Sequence, residues 1–222
     1  MRKHPLITNQ YYHIYNRGVD KRDIFMDKKD LERFVLSVKE FNISKPTGSL
    51  REVEQHKSGV QHLIYAKEEN PLVAIVCYCF NPNHFHFILK QEAENGISEF
   101  LKRLLGGYTN YFNKVHKRSG ALFQGRFKSH LINSEEYILK IRPYVNINYQ
   151  IHEIPKEKRH LIMASDKEYD NMKFDLVSEK EAEELLSFYG DSQNFKNECL
   201  KVADIIREER GNTKLDEEDP LP

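Results

Sequence analysis

The order of elements along this chain predicts an α+β fold, with helices packed on an antiparallel sheet. Three observations carry it. Residues 72–80, Leu-Val-Ala-Ile-Val-Cys-Tyr-Cys-Phe, are a nearly unbroken β-favouring run of the kind covered on both faces. Asn81-Pro82-Asn83 then turns the chain into a second β run, in which His84 and His86 alternate with Phe85 and Phe87. After Asn95-Gly96, the positions Ile97, Phe100, Leu101, Leu104, Leu105, Tyr108, Tyr111 and Phe112 keep helical spacing.

The remaining elements fall around these. Residues 11–15, Tyr-Tyr-His-Ile-Tyr, read as a first strand, with Asn16-Arg17-Gly18 as the turn that follows. Asp27 is placed to cap a helix carrying Leu31, Phe34, Val35, Val38 and Phe41 on one face. Residues 42–71 are too polar for core, although residues 60–65 suit a short strand. Residues 121–132 read as a strand or irregular β segment. Ser134-Glu135-Glu136 then starts a helix with an oxygen cap and an acidic first turn. Within it, Pro143 lacks an amide hydrogen and predicts a break or kink just before Tyr144.

At 222 residues the chain can bury one core, and its formal net charge is zero. That total hides an asymmetry. Residues 161–222 hold 8 Lys and Arg against 17 Asp and Glu, whereas residues 1–160 hold 26 against 17. We read one domain over residues 1–160 and an appended acidic, partly helical tail over 161–222, with helices near residues 178–188 and 195–209 and a disordered acidic end at 216–219. A basic body suits a polyanionic partner. Three cysteines, no signal-peptide run at the N-terminus and no stretch long enough to cross a bilayer argue against a disulfide-rich or membrane-spanning protein. The expectation is a soluble, cytoplasmic one.

The chemistry concentrates at two places. Strand side chains alternate between faces, so His84 and His86 should share one face while Phe85 and Phe87 fill the other, which is how a strand presents two nitrogen ligands to one metal. In the helix after Ser134 the apolar stripe Tyr137, Ile138, Ile141, Tyr144 and Val145 ends on Asn148, one turn beyond Tyr144. An amide at the end of an apolar stripe needs a partner. A divalent ion held by His84, His86 and the Asn148 carbonyl would supply it, with the Tyr144 hydroxyl close by. Such a site suits phosphodiester transfer, because a phenol of pKa about 10 is a weak nucleophile and a metal can make the phosphate a better target. Cys77 and Cys79 offer a competing reading, a closed tetrahedral zinc site with the two histidines.

A basic stretch lies between the two later helices. Lys114, His116, Lys117, Arg118, Arg126, Lys128 and His130 are interleaved with Tyr108, Tyr111, Phe112, Phe123 and Phe127. Cations that follow phosphates and rings that stack on bases are the needs of a single-stranded nucleic acid groove, with Arg126 and Lys128 the foremost candidates and Arg17 a further one. Gly106-Gly107, inside the long helix, points either to close packing or to close approach of a DNA backbone.

Four segments in order carry a resemblance. Residues 12–18 (Tyr-His-Ile-Tyr-Asn-Arg-Gly), 81–86 (Asn-Pro-Asn-His-Phe-His), 123–128 (Phe-Gln-Gly-Arg-Phe-Lys) and 144–148 (Tyr-Val-Asn-Ile-Asn) resemble the single-tyrosine HUH transposases, especially REP-associated tyrosine transposases. The resemblance covers roughly residues 8–152. It implies a ferredoxin-like (RRM-like) sheet, a Mg²⁺ or Mn²⁺ ion, and cleavage and joining of single-stranded DNA, often beside a hairpin. Residue by residue it makes His84 and His86 the histidine pair, Tyr144 the nucleophile and Asn148 the third metal ligand. It departs from the family where Tyr149 follows Asn148 in place of a proline. The resemblance also allows a homodimer in which the tyrosine helix of one chain serves the other. A non-catalytic single-stranded nucleic-acid-binding module derived from such an enzyme is the alternative function.

Overall fold

The computed structural model describes residues 5–44, 70–152 and 154–212. The short strand expected at 60–65 and the acidic end at 216–219 lie outside them. The elements run β1 (Tyr11–Arg17), α1 (Lys28–Phe41), β2 (Val73–Asn81), β3 (His84–Gln91), α2 (Gly96–Val115), β4 (Lys128–Leu131), α3 (Glu135–Asn146), a single turn α4 (Asn148–Ile151), β5 (Met163–Ala164), a short α5 (Asp166–Asn171), α6 (Glu179–Tyr189) and α7 (Ser192–Asn212). The five strands form one sheet in the order β4-β1-β3-β2-β5, every pairing antiparallel. Its first four strands have the ferredoxin-like β-α-β-β-α-β arrangement expected of the sequence, and β5 extends it beside β2.

Strand alternation divides the side chains between two faces. On one, Phe34 of α1 meets Phe80, Phe85 and Tyr108, and Phe100 of α2 meets Phe87, so α1 and α2 close an aromatic core. On the other, His13, His84 and His86 lie under α3 through Tyr144. Both expected caps form: Asp27 accepts from the amide of Asp30, and Ser134 from that of Tyr137. Gly107 is settled by packing, since a Cβ there would stand 2.9 Å from the Phe41 ring, whereas Gly106 has open space. Among the described residues no helix is long and apolar enough to cross a membrane.

Several local expectations are corrected. Asn16 and Arg17 are not a turn: the β1–β3 ladder carries them on, opposite Phe85 and His84. Helix α3 does not break before Tyr144 but runs through Pro143. The carbonyl deprived of its partner belongs to Leu139, whose side chain is 40% exposed, so that turn faces water. The break comes later, at Ile147 (φ −126°, ψ 26°), so Tyr144 and Asn148 belong to successive helices rather than one. The compositional boundary at 160 is not a boundary in packing. Ala182 and Leu185 of α6, with Phe195, Cys199, Val202 and Ala203 of α7, are buried in the same core as the sheet. Most of their acidic neighbours face outward, whereas the buried carboxylate of Glu181 accepts from Lys90 (2.8 Å) and the Tyr11 hydroxyl (2.7 Å) and pins α6 to the sheet.

Candidate active site

The site forms where the β2–β3 turn meets the end of α3. His84 and His86 share one face, as the strand period requires, with ring centroids 5.2 Å apart. Tyr144 comes down on them from α3, its ring edge-on to His86 at 5.7 Å. Asn148 brings its Oδ1 to 3.1 Å from Nε2 of His84. The four side chains singled out in the sequence are therefore neighbours in space. Tyr144, His84 and His86 line a cavity of about 370 Å³. Tyr144 itself is 1% exposed.

Each imidazole is oriented by a contact to its other nitrogen. Nδ1 of His84 stands 2.6 Å from Oδ1 of Asn83, and Nδ1 of His86 stands 2.9 Å from Nε2 of His13. Burial pushes the His13 pKa down to about 3 and holds that of His86 well below its ordinary value. His86 is thus held neutral and keeps a lone pair, as a metal ligand must. The Asn148 amide is wholly buried, and its nitrogen has no hydrogen-bond partner among the described residues while its oxygen is engaged. An orphaned buried N–H group costs about 1–3 kcal/mol, so the side chain is held for its oxygen. Two imidazoles and an amide oxygen form a donor set that fits a divalent cation.

The closed zinc reading is not supported. No three His, Cys, Asp or Glu side chains among the described residues are arranged to hold a metal. Cys77 and Cys79 are buried, and burial pushes the Cys77 thiol up to about 12 and raises that of Cys79 as well.

The basic candidates separate into two groups. Arg17 and Lys128 line the cavity, joined by Lys21 and Lys158, which the sequence did not single out. Arg17 donates to Gln124, and Lys128 lies over the Tyr15 ring at 5.6 Å. Lys114, Lys117, Arg118 and Arg126 are not among the residues lining it. Lys114 and Lys117 are exposed at the end of α2, while Arg118 ties down its own loop by donating to Asn113 and the Ala121 carbonyl. Most of the rings interleaved with these charges are core: Tyr108, Phe112 and Phe123 are buried, so they cannot stack on bases. Sequence reasoning also passed over His13, Asn81 and His152. His13 was visible as the alternate position to Tyr15 on a strand paired with the histidine strand, Asn81 was read only as the start of the turn into that strand, and His152 left no local signal.

These features define a class: a ferredoxin-like α+β protein in which a histidine pair and a helix-borne tyrosine gather at one cavity with an asparagine behind them. The chain belongs to the IS200-like transposase family, whose model matches residues 7–148. Among curated proteins none matches it. Among solved structures it is similar to a REP-associated tyrosine transposase bound to a REP hairpin, at 12% identity and a TM-score of 0.48, over 80% of this chain and 90% of that one.

Proposed function

We propose that this transposase-family protein is a single-strand DNA endonuclease and strand transferase that works through a covalent 5′-phosphotyrosine. The observation that carries the reading is the gathering of Tyr144, His84, His86 and Asn148 at one point. The Tyr144 oxygen attacks the scissile phosphorus, forming a P–O bond as the bond from phosphorus to the 3′ oxygen breaks. The phenolic proton ends on the departing 3′ oxygen, leaving a free 3′ hydroxyl. One phosphoester bond is exchanged for another, so a second 3′ hydroxyl can reverse the step and join strands without ATP. His84, His86 and Asn148 would hold Mg²⁺ or Mn²⁺, which when bound offsets charge on the non-bridging phosphate oxygens. Arg17, Lys21 and Lys128 line the cavity and offer positive charge to phosphates of a single-stranded or hairpin DNA, while Lys158, also in the lining, is ion-paired with Asp23 at 2.6 Å.

Incubation of the full chain with a single-stranded hairpin oligonucleotide and Mn²⁺, read by denaturing electrophoresis, tests this. A covalent adduct is expected with the wild type and none with Tyr144→Phe, while DNA binding persists. An adduct formed by the Phe variant overturns the nucleophile assignment. The near-complete burial of Tyr144 favours a second reading, a non-catalytic binding module. A mobility shift without cleavage by the wild type would establish that one instead.

A further inference from the structure

A fourth polar side chain stands among the donors of the candidate cation site. Asn81, the last residue of β2, is wholly buried, and its amide nitrogen lies 2.8 Å from Oδ1 of Asn148 and 2.9 Å from Nε2 of His84. Those two atoms are 3.1 Å from each other, so the three close a nearly equilateral triangle. Neighbouring ligands of an octahedral ion held at ~2.1 Å stand roughly 3.0 Å apart. The triangle therefore has the size of one octahedral face.

The hydrogen bonding has the matching polarity. With the Nδ1 proton of His84 donated to Asn83, Nε2 is an acceptor, and the Asn148 oxygen is another. Both lone pairs point at the Asn81 nitrogen, whose N–H groups play the electrostatic part a cation would. The oxygen of the same amide meets the Cys79 thiol at 3.8 Å, a weak contact. Turning the carboxamide about its last torsion exchanges nitrogen for oxygen on one vertex, with no backbone movement.

We propose that Asn81 is a ligand of the cation through Oδ1, completing a face with His84 and Asn148. The proposal rests on the metal site put forward above and adds to it a residue of the other strand. Asn81 and His84 are direct partners across the β2–β3 turn, which fixes both side chains on one side of the sheet. A second amide oxygen makes the donor set harder, shifting it from the softer metals that imidazoles favour toward Mg²⁺ and Mn²⁺.

Calorimetric titration of the full chain with Mn²⁺, in the absence of DNA, tests it on the wild type, Asn81→Leu, Asn81→Asp and His84→Ala. Asn81→Leu should bind ten- to a hundredfold more weakly, whereas Asn81→Asp should bind at least as tightly as the wild type, because a carboxylate presents oxygen whichever way it turns. If Asn81 serves only as a hydrogen-bond donor that steadies His84 and Asn148, Asn81→Asp, which cannot donate, falls as far as Asn81→Leu, and the proposal is overturned. An unchanged affinity in Asn81→Leu overturns it too. Unaltered Mn²⁺ binding by His84→Ala would instead remove the underlying histidine site, whatever the Asn81 variants do. Should the buried carboxylate keep Asn81→Asp from folding, a crystal structure of the wild type with Mn²⁺ decides. The Asn81 oxygen at bonding distance from the ion supports the assignment, and an amide nitrogen still donating to Asn148 beside a bound ion overturns it.

Discussion

Nε2 of His13 stands 2.9 Å from Nδ1 of His86, and the two rings lie nearly parallel, their planes 12° apart. A neutral imidazole ligates through the nitrogen that lacks a proton. If His86 donates its Nδ1 proton to His13, the lone pair is on Nε2, the nitrogen left for a metal. At the proposed metal site His13 would act as a positioning residue, and its removal should then act on metal affinity rather than on the fold alone. His13→Phe keeps the stacked ring but loses the acceptor, and we expect Mn²⁺ affinity to fall by roughly 10- to 100-fold. His13→Gln, with an oxygen able to accept, should recover most of it. Calorimetric titration of both variants checks this, and equal losses in the two would mean that the ring itself, not its nitrogen, matters.

The separation of the basic residues predicts unequal roles. Arg17→Ala and Lys128→Ala, at the cavity, should weaken binding to a single-stranded oligonucleotide and lower the salt slope by about 0.7 per lost phosphate contact. Lys114→Ala combined with Lys117→Ala, away from the cavity, should change affinity less than either. Fluorescence anisotropy across a salt series measures both quantities.

The paired glycines of α2 should respond in opposite directions. Gly106→Ala places a methyl in open space and should stabilise the protein by about 0.5–1 kcal/mol. Gly107→Ala drives its methyl into the Phe41 ring and should destabilise it. Thermal denaturation of the two variants reads the sign directly.

Glu168 is 7% exposed and accepts from the Tyr78 hydroxyl at 2.7 Å and from the amides of Asp175, Leu176 and Val177. Glu168→Ala strands all four donors, so a loss of about 3 kcal/mol or more is expected in urea unfolding. Glu168→Gln keeps one acceptor oxygen and should lose less.

What the sequence disclosed was whatever a local period can encode. The two-residue repeat placed His84 and His86 opposite Phe85 and Phe87, and the helical stripe placed Tyr144 over them. What it withheld depends on partners distant along the chain. Asn16 and Arg17 resemble a turn until the ladder to β3 is known. Tyr108 and Phe123 look like stacking rings until α1 and the sheet are seen to cover them. Asn81 lies beside the histidines in sequence, yet its amide acquires meaning only when Asn148, from another helix, arrives at 2.8 Å. The acidic composition after residue 160 concealed inward-facing positions such as Leu185 and Phe195, because outward charges dominate an average.

Helix α7 grips the chain on either side of the break at Ile147. Asn146 donates to Sγ of Cys199 at 3.5 Å, and the Arg207 guanidinium donates to the Gln150 carbonyl at 3.0 and 3.2 Å. Contacts from α7 thus flank the segment that links Tyr144 to Asn148. During synthesis, a chain released before α7 would carry every residue of the family signature and still lack the brace that sets them. Such a fragment would leave Asn146 and Gln150 without these contacts, and the bend at Ile147 would be held less firmly.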